Sequence, residues 1–391
     1  MPDYRYLVIG GGMTADAAIR GIRELDATGS IGLVGAEMDP PYARPPLSKG
    51  LWQGVPLESI WRNTGEVTVN LHLARRVTTL DLPNKRVRDD RGTEYSYDKL
   101  LLATGGTPRR LSFGGESVIY FRTLGDYRRL LAMAGPGRSV AVIGGGFIGS
   151  EIAAALTMQG CTVTMLFPEE GIGARLFPAD LAQFLVAYYR EKGVIVRPGE
   201  QVTGITQAGS RVILQMHHGD RLTVDAVVAG IGTVPNTGLA EAAGLGVEDG
   251  ILVDEHLRTT HPGVFAAGDV ARFHAPVIGA RLRVEHEDNA LTMGRAAGRA
   301  MAGDTSPYLH LPYFYSDLFE LGYEAVGVLD PSGETITDWK EPFREGVVYY
   351  LRDGRVQGVL LWNVWNQIDA ARALVSKPGL VRAADLVGEL P

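Results

Sequence analysis

Two glycine-rich stretches hold residue types that can bind a phosphate with backbone alone. In one, Ser139-Val-Ala-Val-Ile runs directly into Gly144-Gly-Gly146-Phe147-Ile148-Gly149-Ser-Glu151; in the other, Tyr6-Leu-Val-Ile runs into Gly10-Gly-Gly12-Met-Thr14-Ala15. Each follows a short apolar run and precedes a pattern of helical period. In that setting the first glycine permits a tight strand-to-helix turn and the second lets backbone approach a pyrophosphate. The third lets helix and strand pack closely, and the helix N-terminus faces the phosphates. Ala15 takes the packing role of the third glycine. Two such devices imply two dinucleotides. After each, an acid stands close to the ~20-residue spacing at which a carboxylate meets adenosine ribose hydroxyls. These acids are Glu37 and Glu169.

Three further groups could do chemistry. Pro40-Pro-Tyr-Ala-Arg44-Pro-Pro-Leu-Ser-Lys49 is stiffened by proline and holds an arginine and a lysine in fixed relation. By spacing, Glu151 falls in the first turn of the second fingerprint helix, where an acid complements the helix dipole by about 0.3–1 kcal/mol. Cys161 is the single cysteine, so no internal disulfide can form. As the opening residue of the strand 161–166 it reads as a small buried apolar side chain.

The elements that position these groups follow from period and punctuation. Ala15, Ala18, Ile19, Ile22 and Leu25 recur at helical spacing after the first turn, and residues 31–35 form the next strand. Short strands are expected at 74–82 and 85–88. A buried strand from Tyr97 breaks at Ala103-Thr104-Gly105-Gly106. Helices are expected at 123–135, from the second fingerprint to about Gln159, and at 180–192, with strands ending at Phe167 and lying near Val194, Ile205 and Val212. The run 226–236 contains Gly232, and two strand-like pieces follow at 250–254 and 261–269, the second ending on Gly268-Asp269. A helix then leads from Arg283-Val-Glu285-His286 through Ala302. Beyond Pro307 the strands are aromatic: 345–362 reads as a hairpin about Asp353-Gly354. Asn366 is expected to N-cap a closing helix, with Asp369 in its first turn, that stops before Pro378.

At 391 residues, with 45% hydrophobic and 21% charged residues, the chain suits a soluble globular protein of two or three domains. A net charge of −7 supplies no field to attract nucleic acid or an anionic membrane. No apolar run reaches the length of a membrane span. The first strand begins close to Met1 with no signal-type sequence before it, so a cytoplasmic protein is expected.

With both fingerprints, Ala103-Thr-Gly-Gly106 and Ala267-Gly-Asp269 in order, the chain resembles the two-dinucleotide flavoprotein reductases. It is most similar to the branch containing apoptosis-inducing factor and the ferredoxin reductases of bacterial oxygenase systems. The segment ending at Lys49 matches that branch, as do Leu-Phe-Pro-Glu169, Arg-Val-Glu285-His286, Ser-Asp317-Leu, Gly-Tyr-Glu324-Ala-Val-Gly and Val-Leu-Leu-Trp-Asn363. The resemblance implies an α/β fold with two Rossmann-like dinucleotide-binding domains, for FAD and NAD, plus a C-terminal α+β domain. An FAD domain of 1–122 and 246–308 would be interrupted by an NAD domain of 123–245 and followed by a C-terminal domain of 309–391.

The resemblance also implies roles by position. Gly10, Gly12 and Ala15 hold the FAD pyrophosphate, Glu37 its ribose, Arg44 its adenine or phosphate side, Val77 the adenine and Asp269 the ribityl chain. Thr14, Ala103, Thr104, Gly105, Arg109 and Gly268 are further cofactor contacts. Tyr315 stands near the flavin where the branch commonly has tryptophan. Lys49 faces the flavin N5 edge and pairs with Glu151. Gly144, Gly146, Phe147, Ile148 and Gly149 meet the NAD pyrophosphate, with Glu169 and Arg175 at its adenosine ribose. Gly232, Glu285, His286 and Glu324 lie at the nicotinamide end, and Lys49, Glu151 and His286 are the catalytic candidates. The insertion that animal apoptosis-inducing factor carries is absent between Val328 and Val347, as are its leader and basic surface.

The implied activity is an FAD-dependent NADH oxidoreductase, preferring NADH to NADPH, that passes electrons to ferredoxin, quinone or another acceptor. It uses no metal and no redox disulfide. The alternative of a different class is a redox sensor whose NADH-reduced state controls partner binding or dimerisation. The expected partners are NADH, an electron acceptor such as ferredoxin and, as a homodimer, a second copy of the chain.

Overall fold

The apolar run ahead of the first fingerprint becomes strand Asp3–Ile9, set inside a seven-stranded sheet. It pairs in parallel with Ile31–Val34 on one side and Glu94–Leu102 on the other, and Val264–Ala266 joins the sheet through the latter. Where they are buried on both faces, at Tyr6–Ile9, Ile31–Val34, Leu100–Leu102 and Val264–Ala266, the strands read as continuous apolar runs. The computed structural model describes residues 1–391, and this sheet belongs to the first of two compact units, made of residues 1–43, 56–107 and 234–312.

In that unit helix Met13–Leu25 lies against helix Glu287–Met301. Glycine decides how close they come. A Cβ on Gly298 would fall 1.9 Å from the Ala18 carbonyl oxygen, and one on Gly294 would fall 2.5 Å from that of Thr14. Only bare Cα atoms permit this spacing. Near the start of the first helix, Asp16 is fully buried, and its carboxylate accepts from Arg62 Nε at 2.6 Å, Thr64 Oγ1 at 2.7 Å and Arg20 Nε at 3.0 Å.

The second unit, residues 44–55, 108–233 and 313–391, holds a five-stranded parallel sheet. Its order is Ile195–Pro198, Thr162–Phe167, Ser139–Ile143, Ala226–Ala229, Val118–Tyr120. A three-stranded antiparallel sheet and a five-stranded antiparallel C-terminal sheet complete it. In the C-terminal sheet, Tyr313–Leu318 is an edge strand paired to Leu321–Gly327. The expected hairpin is present: Glu345–Arg352 turns into Arg355–Trp362 through Asp353 and Gly354, both at positive φ, as a two-residue type I′ turn requires.

Several boundaries differ from the sequence expectations, each for a local reason. Ala74 and Lys85 sit at φ +52° and +50°, so the strands they were expected to open run instead from Val77–Asp81 and Arg86–Asp89. The helix expected at 123–135 is Leu124–Leu131, started by a capping box between Thr123 and Asp126. Cys161 precedes its strand, which begins at Thr162. Asn366 is not the N-cap of the closing helix: it adopts φ +62°, and Gln367 takes the cap position without a side-chain bond. Asp369 does lie in the first turn of that helix, Ile368–Ser376. No helix is long and apolar enough to cross a membrane.

Candidate active site

In the first unit the fingerprint turn is pressed against the Ala103 turn. Gly10 has φ +123°, and a Cβ on it would lie 2.0 Å from the Ala103 carbonyl oxygen. Gly268, at φ +75°, similarly excludes a Cβ, which would fall 2.3 Å from Thr14 Oγ1. A Cβ on Gly12, by contrast, would meet nothing within 4 Å. Helix Met13–Leu25 starts there with no side-chain cap, which leaves first-turn N–H groups for an anion. An open cradle of glycine backbone under an uncapped helix start fits a pyrophosphate, so these residues fit the FAD that the fold implies.

The other expected site residues of this unit are placed as follows. Glu37 accepts from the Tyr42 hydroxyl at 2.6 Å. Glu285 pairs with Arg283, which also reaches Asp249 at 3.3 Å, and His286 occupies the N-cap position of helix Glu287–Met301. Asp269 lies in the turn Gly268–Val270, and Val77 opens its strand, half-buried. Sequence reasoning gave no role to Asn236, yet it fastens the Ala103–Gly105 corner. Its Nδ2 donates to the Thr104 carbonyl at 2.8 Å, its backbone N–H donates to that of Gly105 at 2.9 Å, and its own carbonyl accepts from Thr104 Oγ1 at 2.9 Å. A lone asparagine after a strand carries no periodic signal that would have exposed this.

The second unit repeats the device. Gly144 has φ +113°, and a Cβ there would lie 2.3 Å from the Gly230 carbonyl oxygen; one on Gly149 would lie 2.0 Å from that of Gly144. Gly146 is open, and helix Phe147–Met158 starts on it without a side-chain cap. This second cradle fits the pyrophosphate of NAD(H). Gly232, at φ +94°, accepts from the Arg109 N–H at 2.9 Å. Glu169 follows strand Thr162–Phe167 and is already paired with Arg175, at 2.9 Å from Nε and 2.6 Å from Nη2.

Also in this unit, Lys49 meets Glu151. The helix begins at Phe147 and its first turn has no acid, so Glu151 lies a turn deeper than the spacing suggested and the dipole account fails. It is 3% exposed and engages both carboxylate oxygens: Lys49 Nζ donates to Oε1 at 2.6 Å, Ser316 Oγ to Oε1 at 2.6 Å and Ser48 Oγ to Oε2 at 2.5 Å. Lys49 Nζ also stands 5.2 Å from the centre of the Tyr315 ring, within cation–π range. Of its three N–H groups, about one is used by Glu151, which leaves donors for a ligand. Glu324 pairs across the sheet with Tyr315, and its Oε2 is buried without a partner. Burial pushes its carboxyl above the usual range, with the Asn366 backbone N–H opposing. Ser48 and Ser316 were not singled out from sequence, although both lie in the stretches that carried the family resemblance.

Cys161 is buried and its Sγ accepts from the Gly135 N–H at 3.1 Å. As the chain's one cysteine, it has no second thiol with which to cycle.

Comparison with known proteins agrees with these features. The family described as pyridine nucleotide-disulphide oxidoreductase matches residues 4–294, and the C-terminal region of mitochondrion-associated apoptosis-inducing factor matches 297–342 and 335–377. The chain is 34% identical to the ferredoxin–NAD(+) reductase component of the anthranilate 1,2-dioxygenase system of Burkholderia cepacia, over 95% of this chain and 94% of that one. It is 31% identical to mitochondrial apoptosis-inducing factor 1 of Dictyostelium discoideum, over 96% and 79% of the two chains. Among solved structures, the covalent putidaredoxin reductase–putidaredoxin complex is similar with a TM-score of 0.90 and 30% identity, over 96% of this chain and 94% of that one. The chain therefore belongs to the pyridine nucleotide-disulphide oxidoreductase family and is an FAD-dependent NAD(P)H oxidoreductase of its ferredoxin reductase-like kind, with no second cysteine for the disulfide in the family's name.

Proposed function

We propose that this protein oxidises NADH and delivers the electrons to a ferredoxin. The observation that carries the reading is the part-buried Lys49–Glu151 pair at 2.6 Å, which joins the proline-stiffened segment to the second fingerprint helix. FAD, when bound, accepts hydride and releases electrons singly or in pairs. Lys49 supplies positive charge at the flavin N5 edge, where the protein is partly shielded from water and a charge acts more strongly than at the surface. Glu151 orients that lysine, and His286 and Glu324 contact the nicotinamide end. Glu169 accepts from the ribose hydroxyls and repels a 2′-phosphate, so NADH is favoured over NADPH; Arg175 beside it moderates the difference. In this reading residues 123–245 form the NAD domain within an FAD domain of 1–122 and 246–308.

Ferredoxin is preferred among acceptors because the Burkholderia relative is named as a ferredoxin–NAD(+) reductase and the similar solved structure is a complex with putidaredoxin. The match to the apoptosis-inducing factor C-terminal region favours a second reading, in which the NADH-reduced state controls partner binding or dimerisation. Steady-state NADH oxidation with ferredoxin, quinone and dye acceptors separates the two. Fast turnover with ferredoxin is expected. Slow turnover with every acceptor, together with a persistent reduced flavin–nicotinamide complex, would replace the reductase by the sensor.

A further inference from the structure

Glu151 accepts from three donors on two separate pieces of chain. The cation comes from the segment 44–55, one hydroxyl comes from Ser48 beside it, and the other comes from Ser316 on the C-terminal edge strand Tyr313–Leu318. Ser316 is 0% exposed and shares a single oxygen, Oε1, with Lys49 Nζ. It is therefore the group that competes directly with the lysine for the same negative charge.

Ser316 pairs across the sheet with Tyr323. Tyr323 is 2% exposed, and burial together with the Glu151 charge raises its pKa well above the ordinary value, so it stays a neutral phenol. Its ring stacks on Trp362 at 5.8 Å and meets Phe177 edge-on at 5.2 Å. Phe147, the first residue of the fingerprint helix, packs against Phe314 of the same edge strand at 5.6 Å. The serine thus sits on a rigid aromatic platform, whereas Lys49 has a long flexible stem.

We propose that Ser316 is a positioning residue that fixes how far Glu151 draws Lys49 toward itself, so that the C-terminal sheet sets the positive charge presented to the flavin. The proposal rests on the reading of Lys49 as the flavin-side cation. With the hydroxyl in place, Oε1 divides its acceptor capacity between serine and lysine. With the hydroxyl removed, the same oxygen serves the ammonium alone, the pair closes, and less positive charge is left for a ligand. Ser316 touches no reacting atom in this scheme. It acts through Glu151 and Lys49.

The test uses the FAD-loaded protein and four variants: Ser316→Ala, Ser316→Thr, Lys49→Ala and the Ser316→Ala/Lys49→Ala double. The readouts are the flavin midpoint potential, measured without turnover, and stopped-flow reduction by NADH. Ser316→Ala should lower the potential and slow reduction about fivefold, the size of one ordinary net hydrogen bond. Ser316→Thr, which keeps the hydroxyl, should restore both. In the Lys49→Ala background Ser316→Ala should change neither further. If Lys49→Ala shifts both readouts while Ser316→Ala matches the unmodified protein, the positioning role is overturned and the Lys49 reading stands. Losses that multiply in the double variant also overturn it, because the serine would then act independently of the lysine. If Lys49→Ala moves neither readout, the Lys49 reading and the proposal fall together.

Discussion

Each unit carries one buried carboxylate early in a fingerprint helix, and the two are held differently. Asp16, 0% exposed, is closed in by two guanidinium groups and the Thr64 hydroxyl. Glu151, 3% exposed, is held by one ammonium and two serine hydroxyls. Arginine presents a rigid planar fork and is always charged, which suits a permanent clamp. Lysine is a point charge with donors to spare, which suits a cation that must also serve a ligand. The same turn-helix grammar thus yields a clamped acid in one unit and, in the proposed reading, a functional acid in the other. Partner chemistry makes the difference, since both carboxylates are buried.

The largest expected effect breaks the structural side of this comparison. Asp16→Ala leaves the buried Thr64 hydroxyl and the part-exposed Arg62 and Arg20 without their acceptor and should cost about 3 kcal/mol of stability. Thermal unfolding should show a large fall in Tm, while flavin reduction per folded molecule is retained. A Tm close to that of the unmodified protein would remove the clamp assignment.

Next comes the functional side. Lys49→Ala should retain FAD yet slow reduction by NADH about 100-fold, the low end of the loss of one electrostatic stabiliser at a reacting centre. Glu151→Ala should do part of the same, and the double variant should lose less than the product of the two. Stopped-flow reduction measures all three, and multiplicative losses would mean that the two side chains do not act as a unit.

Glu169 offers a smaller effect. The ratio of kcat/KM for NADH over NADPH should exceed about tenfold, and Glu169→Ala should reduce it by about that factor. Equal values in the unmodified protein would dismiss Glu169 as the discriminating residue.

The acid limb of stability sharpens the comparison by unit. Asp26 lies at the C-terminal end of the first fingerprint helix. The backbone N–H of Gly29, the Tyr6 hydroxyl and the Thr28 N–H lower its carboxyl from 3.8 to about 2. A carboxyl lowered in the folded state contributes stability above its unfolded value and loses it as pH falls through the folded one. Its contribution should therefore be intact at pH 5 and disappear between about 4 and 2. Asp26→Asn should flatten that part of a plot of Tm against pH. An unchanged slope would show that Asp26 does not drive it.

The smallest effect is none at all. Cys161→Ser should leave the rate of flavin reduction unchanged, because the thiol is buried and solitary. A well-folded variant with a large loss of rate would reinstate thiol chemistry.

The sequence alone determined the elements whose signals are local. A glycine placed between an apolar run and a helical period specifies a turn through sterics within a few residues. Gly10 and Gly144 accordingly stand at φ +123° and +113° in turns of the same kind. Asp353-Gly354 specified its hairpin for the same reason, and one cysteine settled the question of a disulfide by counting. Boundaries at Ala74 and Lys85 were not legible, because left-handed backbone at such residues reflects tertiary constraint rather than propensity; Asn366 favours both a helix cap and the left-handed region, so its type alone did not choose between them. The family motifs suggested that Lys49 and Glu151 meet, but neither composition nor period could supply it. Only the tertiary structure decided that Ser48 and Ser316 complete the carboxylate's shell and that Asn236 ties the Ala103 corner. Those contacts join residues far apart in the chain through single hydrogen bonds, and a single hydrogen bond leaves no periodic mark in sequence.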